Sequence, residues 1–394
     1  MFVLAAAIVG GRIWHRLDQT TPPFAIESAL VDFRDAVYYP VVATLDGENP
    51  YDAARVHARY PVNGTIGLYS PLTLLLHLPW GLLPYRAAEL GFVLWSLGLV
   101  LVLAAAAWRI AGRPVAVGVV ATFAAVLVIT RPGHWNLFLG QVALETALAT
   151  LAALWWARTR PVAAGLGFAV TTFKVTYALP LLVLLAARRD WRALAVGIAA
   201  AVVLTLPALG IVVPRAGAGG FVATLVANYH DRVGTPRMSA AVSTFRVDVV
   251  ALAGRCLGEA PSLLATLALT AGVLVVAALA LRRLAARDDD EARRQSLALA
   301  ALALVLCTYH QQYDLVVLAP LLAMACPLLP LRRAQLPAGL VAIPFVNYLA
   351  TGGAERATGA SDGTILVLSS LNVLALLAAF ALLLRDAWRV EVAR

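Results

Sequence analysis

Long apolar runs are the feature that most limits what this 394-residue chain can fold into. A helix needs about 20 apolar residues to cross the roughly 30 Å hydrocarbon core of a bilayer. Runs of this kind, separated by charge, proline or glycine, predict about twelve spans at 1–14, 67–83, 87–108, 115–129, 142–157, 162–186, 191–213, 261–281, 296–309, 314–329, 336–350 and 364–384. The sequence is 61% hydrophobic and only 13% charged, which excludes a water-soluble globule. We therefore predict an all-α polytopic membrane protein, with residues 1–394 forming one domain.

The net charge of +9 lies mainly in arginines between the apolar runs, which indicates membrane topology rather than nucleic-acid binding. If twelve spans alternate, four basic clusters share one side, and that side is cytoplasmic. The clusters lie at 188–192, 282–294, 332–333 and 385–394. The same alternation would place Arg109, Arg113, Arg158 and Arg160 on the outer side, against the rule, so the topology of residues 84–160 stays open at this point.

Two segments are too polar to cross a membrane, residues 16–66 and 214–260, and both fall on the outer side. Each has about 50 residues, fewer than a nucleotide-binding domain needs. Any group-transfer donor must therefore come from the membrane. The three cysteines lack CxxC spacing, so we predict neither a disulfide framework nor a metal site, and no cofactor.

The first outer segment carries carboxylates next to aromatic residues. If this segment is helical, Asp32, Asp35, Tyr38 and Tyr39 share one face. A carboxylate at a membrane interface can act as general base towards an acceptor hydroxyl, with the tyrosines contacting the substrate. The alternative is a solvated helix whose tyrosines belong to the interfacial aromatic belt.

Lys174 is the single lysine among 31 basic residues, and it lies inside an apolar run. Because a charge in mid-membrane costs roughly 2.5–3.5 kcal/mol, we expect its ammonium to face a cavity or an anion such as a lipid phosphate. Snorkelling, or a structural pair with Glu145, is the alternative. Gln141 and Glu145, four residues apart, suit hydrogen bonds either to sugar hydroxyls or between helices.

Further candidates for phosphate binding lie later in the chain. His310 and Asp314 are four residues apart, so on a helix the carboxylate would favour a protonated imidazole. Such a cation can hold a phosphate, although a polar turn between helices has the same residues. Arg237 and Arg246, in the second outer segment, suit phosphate by bidentate hydrogen bonding, or are ordinary surface residues.

The order of these residues carries a family resemblance. The chain has Asp35, Tyr38-Tyr39, Leu45-x-Gly47-x-x-Pro50-Tyr51, Tyr69-Ser70-Pro71-Leu72, Gly140-Gln141, and Gly165-Leu166-Gly167 before Lys174. This pattern resembles glycosyltransferase family 87, whose members have the GT-C fold. The resemblance implies a multi-pass cell-membrane enzyme that moves a sugar, such as mannose, from a polyprenyl-phosphate donor to a lipid or glycan acceptor. It further implies an active site on the extracytoplasmic side, inversion at the anomeric carbon, and Asp35 as catalytic base, with Asp32 second.

Two other classes of function fit the same residues. Lys174, Glu145 and His310 could form the ion path of a transporter or lipid flippase. A non-catalytic scaffold of an envelope-building complex is the third possibility. The glycosyltransferase hypothesis requires Asp35, Lys174 and His310 to converge on one outward-facing cavity with a lateral opening for lipid.

Overall fold

The computed structural model describes residues 1–17, 29–62, 64, 69–233, 235, 238–287, 289–324, 332–350, 359 and 361–389. Within these ranges the protein is all-helical, and its one β-type pairing is an isolated antiparallel bridge between Arg246 and Gln311. The α-helical elements in chain order are α1 Phe2–Arg16, α2 Val31–Phe33, α3 Tyr39–Leu45, α4 Ala53–Arg59, α5 Leu72–Leu76, α6 Leu78–Gly81, α7 Tyr85–Ile110, α8 Val117–Ile129, α9 Arg131–Leu139, α10 Ala143–Trp156, α11 Pro161–Thr171, α12 Val175–Ala187, α13 Trp191–Ala216, α14 Ala218–Val233, α15 Val249–Leu257, α16 Leu263–Ala285, α17 Asp290–Cys307, α18 Ala319–Met324, α19 Arg332–Val346 and α20 Asp362–Arg389.

Four helices in the described part of the chain are long and apolar enough to cross a membrane, namely α7, α13, α16 and α20. Helices α8 and α9 together make a fifth candidate, bent by 75° where they meet. The prediction of about twelve spans is therefore not confirmed. The other predicted runs form shorter apolar helices, or pairs of short helices, which pack beside the long ones.

The predicted span 162–186 is wrong as a continuous helix, because the chain breaks between α11 and α12. The hydroxyls of Thr171 and Thr172 bond to the carbonyls of Phe168 and Ala169, both at 2.6 Å, and so satisfy groups at the end of α11. Lys174 follows as the residue that caps α12. The same correction applies to the described parts of two other predicted spans, since 69–83 contains α5 and α6, and 314–324 begins within the 3₁₀ helix Gln312–Leu318; residues 67–68 and 325–329 of these spans lie outside the described residues.

Helix ends that carry arginine gather at one end of the bundle, which we call the basic end. Arg158 donates to the backbone oxygens of Ala285, at 3.0 Å, and Arg188, at 3.4 Å. Gly112 lies against the guanidinium of Arg294. The structure therefore places Arg158 with the 188–192 cluster and the 109–113 link with the 282–294 cluster, at the basic end, which settles the side that strict alternation of spans left open for these arginines.

The opposite end contains the first outer segment and the ends of α1, α9 and α17. Helix α1 continues through His15 to Arg16, and Arg12 approaches His134 at 2.8 Å. Helix α17 is buried on all sides from Ser296 to Cys307 and leads into the polar segment that follows it. Because α17 is central, residues 308–314 lie inside the bundle rather than on its rim.

Candidate active site

The residues after Leu30 form the helical segment that the sequence suggested, but with a change of period. Residues Val31–Phe33 are α-helical, Arg34–Tyr38 form a π-helical turn, and α3 follows directly. A π-turn accommodates an extra residue within a helix and often occurs at functional sites. The π-turn changes which side chains share a helix face, so the neighbours of Asp35 could not be predicted from α-helical spacing in the sequence.

Asp35 is buried, and both of its carboxylate oxygens accept hydrogen bonds. Oδ1 lies 2.7 Å from Nε of Arg34, and Oδ2 accepts from the backbone N–H of Gly64 at 2.7 Å. The Arg34 side chain is buried as well, and its Nη2 has no hydrogen-bond partner among the described residues. Arg34 therefore orients the Asp35 carboxylate, and its Nη2 group can still donate a hydrogen bond to another acceptor.

A cluster of tyrosines packs on the next turns of this segment. The Tyr38 hydroxyl donates to the Leu83 carbonyl at 2.9 Å, while the rings of Tyr39 and Tyr85 stack at 5.6 Å. Burial raises the pKa of Tyr39, and burial together with a hydrogen bond to Asp46 raises the pKa of Tyr60 to about 12. These phenols are neutral near pH 7, so they can serve as hydrogen-bond donors or aromatic surfaces rather than as bases.

Asp32 contacts the start of α10. The side-chain amide of Gln141 donates to Oδ2 of Asp32. Gly140 makes this approach possible, because it has a φ of +69° and a Cβ there would lie 2.6 Å from Cβ of Phe33. The Gly-Gln pair identified in the sequence therefore joins α2 to α10 at Asp32.

Lys174 lies in a buried polar cluster with the segment after α17. Its Nζ is 2.9 Å from Oδ1 of Asp314, and the Tyr177 hydroxyl donates to the same oxygen at 3.1 Å. Nδ1 of His310 lies 3.3 Å from Oδ2 of Asp314. The backbone N–H of Gln311 also donates to Oδ2, at 3.0 Å. The carboxylate of Asp314 is therefore the common partner that gathers these groups.

Tyr313 connects this cluster to Asp32. The Lys174 ammonium is 4.9 Å from the centre of the Tyr313 ring, close enough for a cation–π interaction. The side-chain amide of Asn136 donates to the Tyr313 carbonyl at 2.8 Å, and the Asn136 carbonyl accepts from the backbone N–H of Gln141, whose side chain bonds Asp32. The structure thus brings Asp32, Lys174, His310 and Asp314 into one region, and Asp35 is one helical turn from Asp32.

Arg246 lies beside this region, but its guanidinium is engaged. It forms two hydrogen bonds with Asp248, at 2.9 and 2.7 Å, and a third with the Met238 carbonyl at 2.8 Å. The backbone of Phe245 and Val247 pairs with residues on either side of Gln311, with Gln312 N–H donating to Phe245 and Val247 N–H to His310. Arg246 therefore stabilises the segment that carries His310. Arg237 lies outside the described residues.

Glu145 does not join Lys174. Its carboxylate is 3.0 Å from Nε2 of His77, and it accepts from the Trp95 indole at 2.8 Å. This group lies at one end of a cavity of about 1200 Å³ between α7, α10 and α11. Apart from its two ends, the cavity walls are apolar, with Leu99, Val102, Leu148, Ala152, Leu166 and Val170 among them. We call this cavity the apolar groove.

The groove reaches the polar region through aromatic side chains. Phe173, which precedes Lys174, packs against Tyr69 and His77, each with ring centres 6.2 Å apart. Trp80, in the groove wall, packs against Phe33 at 6.5 Å. Within the described ranges, no three His, Cys, Asp or Glu side chains gather into a possible metal site.

Comparison with known proteins identifies the family. A model of glycosyltransferase family 87 matches residues 68–308, more than half of the chain. The chain belongs to glycosyltransferase family 87. It is therefore a glycosyltransferase, as the resemblance implied, and its apolar helices are those of a membrane enzyme. No curated protein and no solved structure matches the chain.

The match to glycosyltransferase family 87 covers only part of the site. It includes Gln141, Glu145 and Lys174, but it begins after Asp35 and ends before His310. Two residues of this region, Arg34 and Tyr313, could not be identified as site residues from the sequence. The only sequence signal for Arg34 is its position next to Asp35, and the only one for Tyr313 is its position next to Asp314.

Proposed function

We propose that this glycosyltransferase moves a hexose or pentose, mannose being the first candidate, from a polyprenyl-phosphate donor to a lipid or glycan acceptor. The observation that carries the proposal is the chain of hydrogen bonds from Asp32 through Gln141 and Asn136 to Tyr313, which lies against Lys174; Asp35 is one helical turn from Asp32. Transfer from a lipid phosphate needs a carboxylate for the acceptor and cations for the leaving phosphate. Both kinds of group lie in this region.

The reaction that we propose is a single displacement. Asp35 takes the proton of the acceptor hydroxyl, whose oxygen attacks the anomeric carbon from the face opposite the phosphate. The bond between that carbon and the phosphate oxygen breaks, its electron pair leaves with the lipid phosphate, and the configuration inverts. Asp32 and Gln141 suit hydrogen bonds to sugar hydroxyls, and Tyr38 and Tyr39 offer aromatic surface to the substrate.

Negative charge develops on the phosphate as it leaves, and nearby cations would stabilise it. The spare Nη2 of Arg34 can donate to it directly, because no described residue accepts from this nitrogen. Lys174 and His310 share Asp314, so we propose that Lys174 acts through its charge and that both side chains offer N–H donors to the phosphate when substrate binds. Arg246 acts by supporting the His310 segment, and Arg237 stays a candidate for phosphate contact.

The apolar groove suits the lipid part of a substrate. Its volume of about 1200 Å³ and its apolar walls fit an isoprenoid or acyl chain. Since its His77–Glu145 end adjoins Phe173, a chain in the groove would place its head group towards Lys174. Because arginines mark cytoplasmic ends, the basic end is the cytoplasmic one in this proposal and the site opens on the extracytoplasmic side.

Transfer assays on purified protein in liposomes test this proposal. The donors are polyprenyl phosphates carrying mannose, glucose or arabinose, the acceptors are membrane lipid extracts, and products are read by mass spectrometry. We expect transfer from at least one donor, and a loss of about 100-fold or more in kcat for Asp35→Asn. Asp46→Asn, a partly exposed carboxylate of the same outer segment that bonds Tyr60, is the matched control.

The result identifies the base as well as the reaction. If Asp32→Asn loses kcat while Asp35→Asn does not, Asp32 is the base. Full activity of both variants would contradict base catalysis from this segment. No transfer from any polyprenyl phosphate, with transfer from a nucleotide sugar instead, would overturn the donor class.

A further inference from the structure

A second cavity lies at the basic end, away from the candidate active site. It encloses about 130 Å³ between the end of α10, the link after α12, and the junction of α16 with α17. Its polar walls carry four arginines and two aspartates, namely Arg158, Arg188, Arg287, Arg293, Asp289 and Asp290. We call it the arginine pocket. The glycosyl-transfer mechanism uses none of these side chains.

Arg188 is the most informative wall residue, because it is only 5% exposed and incompletely paired. Its Nε is 2.8 Å from Asp190, yet its Nη1 has no hydrogen-bond partner among the described residues. Burial lowers the pKa of Arg188, Asp190 opposes that effect, and repulsion from Arg158 and Arg293 adds to it. A buried guanidinium with a donor to spare and two cationic neighbours gains from an anion.

The other arginines are held in place by the helix ends, so the pocket is preformed. Arg158 is fixed by the carbonyls of Arg188 and Ala285. Arg293 donates to the Trp155 carbonyl and lies 4.0 Å from the centre of the Trp155 ring. Arg287 is paired with Asp289 at 3.0 Å. An entering anion would therefore meet ordered donors and require little rearrangement.

The arginine pocket adjoins the basic end of the apolar groove. Trp155, Thr159 and Arg293 line both cavities, and Arg109 and Arg160 stand in the groove wall. Helix α10 runs along the groove from Glu145 to Trp156, about 17 Å by helix rise. The arginines therefore lie at the far end of the groove from the His77–Glu145 pair. This arrangement matches a phospholipid, because the apolar walls can hold an acyl chain and the arginine cluster can bind the phosphate.

We propose that the arginine pocket binds a phosphate group, supplied by an anionic phospholipid of the leaflet at the basic end, with an acyl chain in that end of the groove. Arg188 and Arg293 donate to the phosphate oxygens, and Arg158 and Arg287 supply further positive charge. The site uses none of the side chains proposed for sugar transfer, although its acyl chain would share the apolar groove with the lipid chain of the substrate. Its ligand enters at the opposite end of the molecule from Asp35.

Lipid binding to the detergent-purified full chain, measured by native mass spectrometry, tests the proposal. The probes are phosphatidylglycerol, phosphatidylcholine and inorganic phosphate, each titrated separately. We expect phosphatidylglycerol to bind, and its affinity to fall about tenfold or more in Arg188→Gln and in Arg293→Gln. Arg192→Gln removes an exposed arginine from the same end but outside the pocket, and it should bind as the unmodified chain does.

Each outcome decides one part of the proposal. Inorganic phosphate that displaces phosphatidylglycerol supports the anion site, and phosphate that binds as tightly as the lipid assigns the site to a free phosphate. Equal binding of phosphatidylcholine, or an equal loss in Arg192→Gln, would overturn it. Because Arg188→Gln can impair folding, the more accessible Arg293→Gln provides an independent reading. Sugar transfer measured on the same samples shows whether the proposed function fails separately.

Discussion

Replacing Lys174 by methionine tests the role of the one lysine in the chain, whose side chain is buried between helices. The substitution keeps an unbranched side chain, one atom shorter, and removes its charge, so Asp314 loses the partner at 2.9 Å. Removing one member of a buried ion pair costs about 3–5 kcal/mol, because the other charge stays buried. Asp314 keeps its contacts with Tyr177, Gln311 and His310, so we expect a cost at the lower end of this range. We expect a loss of about 3 kcal/mol in the free energy of unfolding.

The measurement is unfolding by SDS in mixed micelles, followed by tryptophan fluorescence. Changing both partners, in Lys174→Met with Asp314→Leu, removes the uncompensated charge and should recover much of the stability. If Lys174 also serves the departing phosphate, this double variant stays inactive although it is stable. Arg192→Met, which changes an exposed cation, should stay within about 0.5 kcal/mol of the unmodified chain. Unchanged stability of Lys174→Met would refute the reasoning, since the ion pair would then contribute nothing to folding.

Three further predictions concern single positions. Gly140→Ala should destabilise the chain by about 1–3 kcal/mol in the same SDS assay, because its Cβ would meet Phe33, whereas Gly98→Ala, with open space around it, should not. Arg34→Lys should raise the donor KM or lower kcat about tenfold, because the spare Nη2 is lost, and unchanged kinetics would exclude a phosphate contact. Asp289→Ala should cost about 0.5–1 kcal/mol at pH 7, through loss of the cap on Ala292. That N–H holds the pKa of Asp289 below its usual value, so the contribution is present above the unfolded carboxyl pKa and is lost as pH falls through the folded one. The difference between the stabilities of the two proteins should therefore shrink as the pH is lowered below the range in which an ordinary aspartate ionises.

The sequence predicts the class of the protein well, because hydropathy reports directly on the cost of placing side chains in a bilayer. It also singles out Lys174 and the His310–Asp314 pair, since ionisable groups in apolar surroundings are costly unless they are paired or have a function. The partner of Lys174 could not be found in this way. Asp314 lies 140 residues away, and nothing in local spacing links the two.

Helix direction and length are the features that hydropathy misjudged. Counting runs as full spans placed Arg158 on the outer side, although it bonds the carbonyls of Arg188 and Ala285 at the basic end. A run of apolar residues looks the same whether it forms one helix or two that meet at a turn. Only the hydroxyl bonds of Thr171 and Thr172, which end α11, distinguish the two cases, and their geometry is not visible in composition.

Those helix breaks explain why the polar region lies where it does. Helices end or begin at Gly140, at Lys174 and at Thr308, and each break exposes backbone groups that an unbroken helix would satisfy. The breaks also join one another, since Thr308 bonds the Thr176 carbonyl at 3.1 Å and Leu30 bonds the Phe138 carbonyl at 2.7 Å. Polar backbone at membrane depth is tolerated only inside protein or around a cavity. A layer of broken helices therefore supplies the setting in which buried charges such as Lys174 and Asp314 are stable, and the substrate groups proposed here would find their partners in that layer.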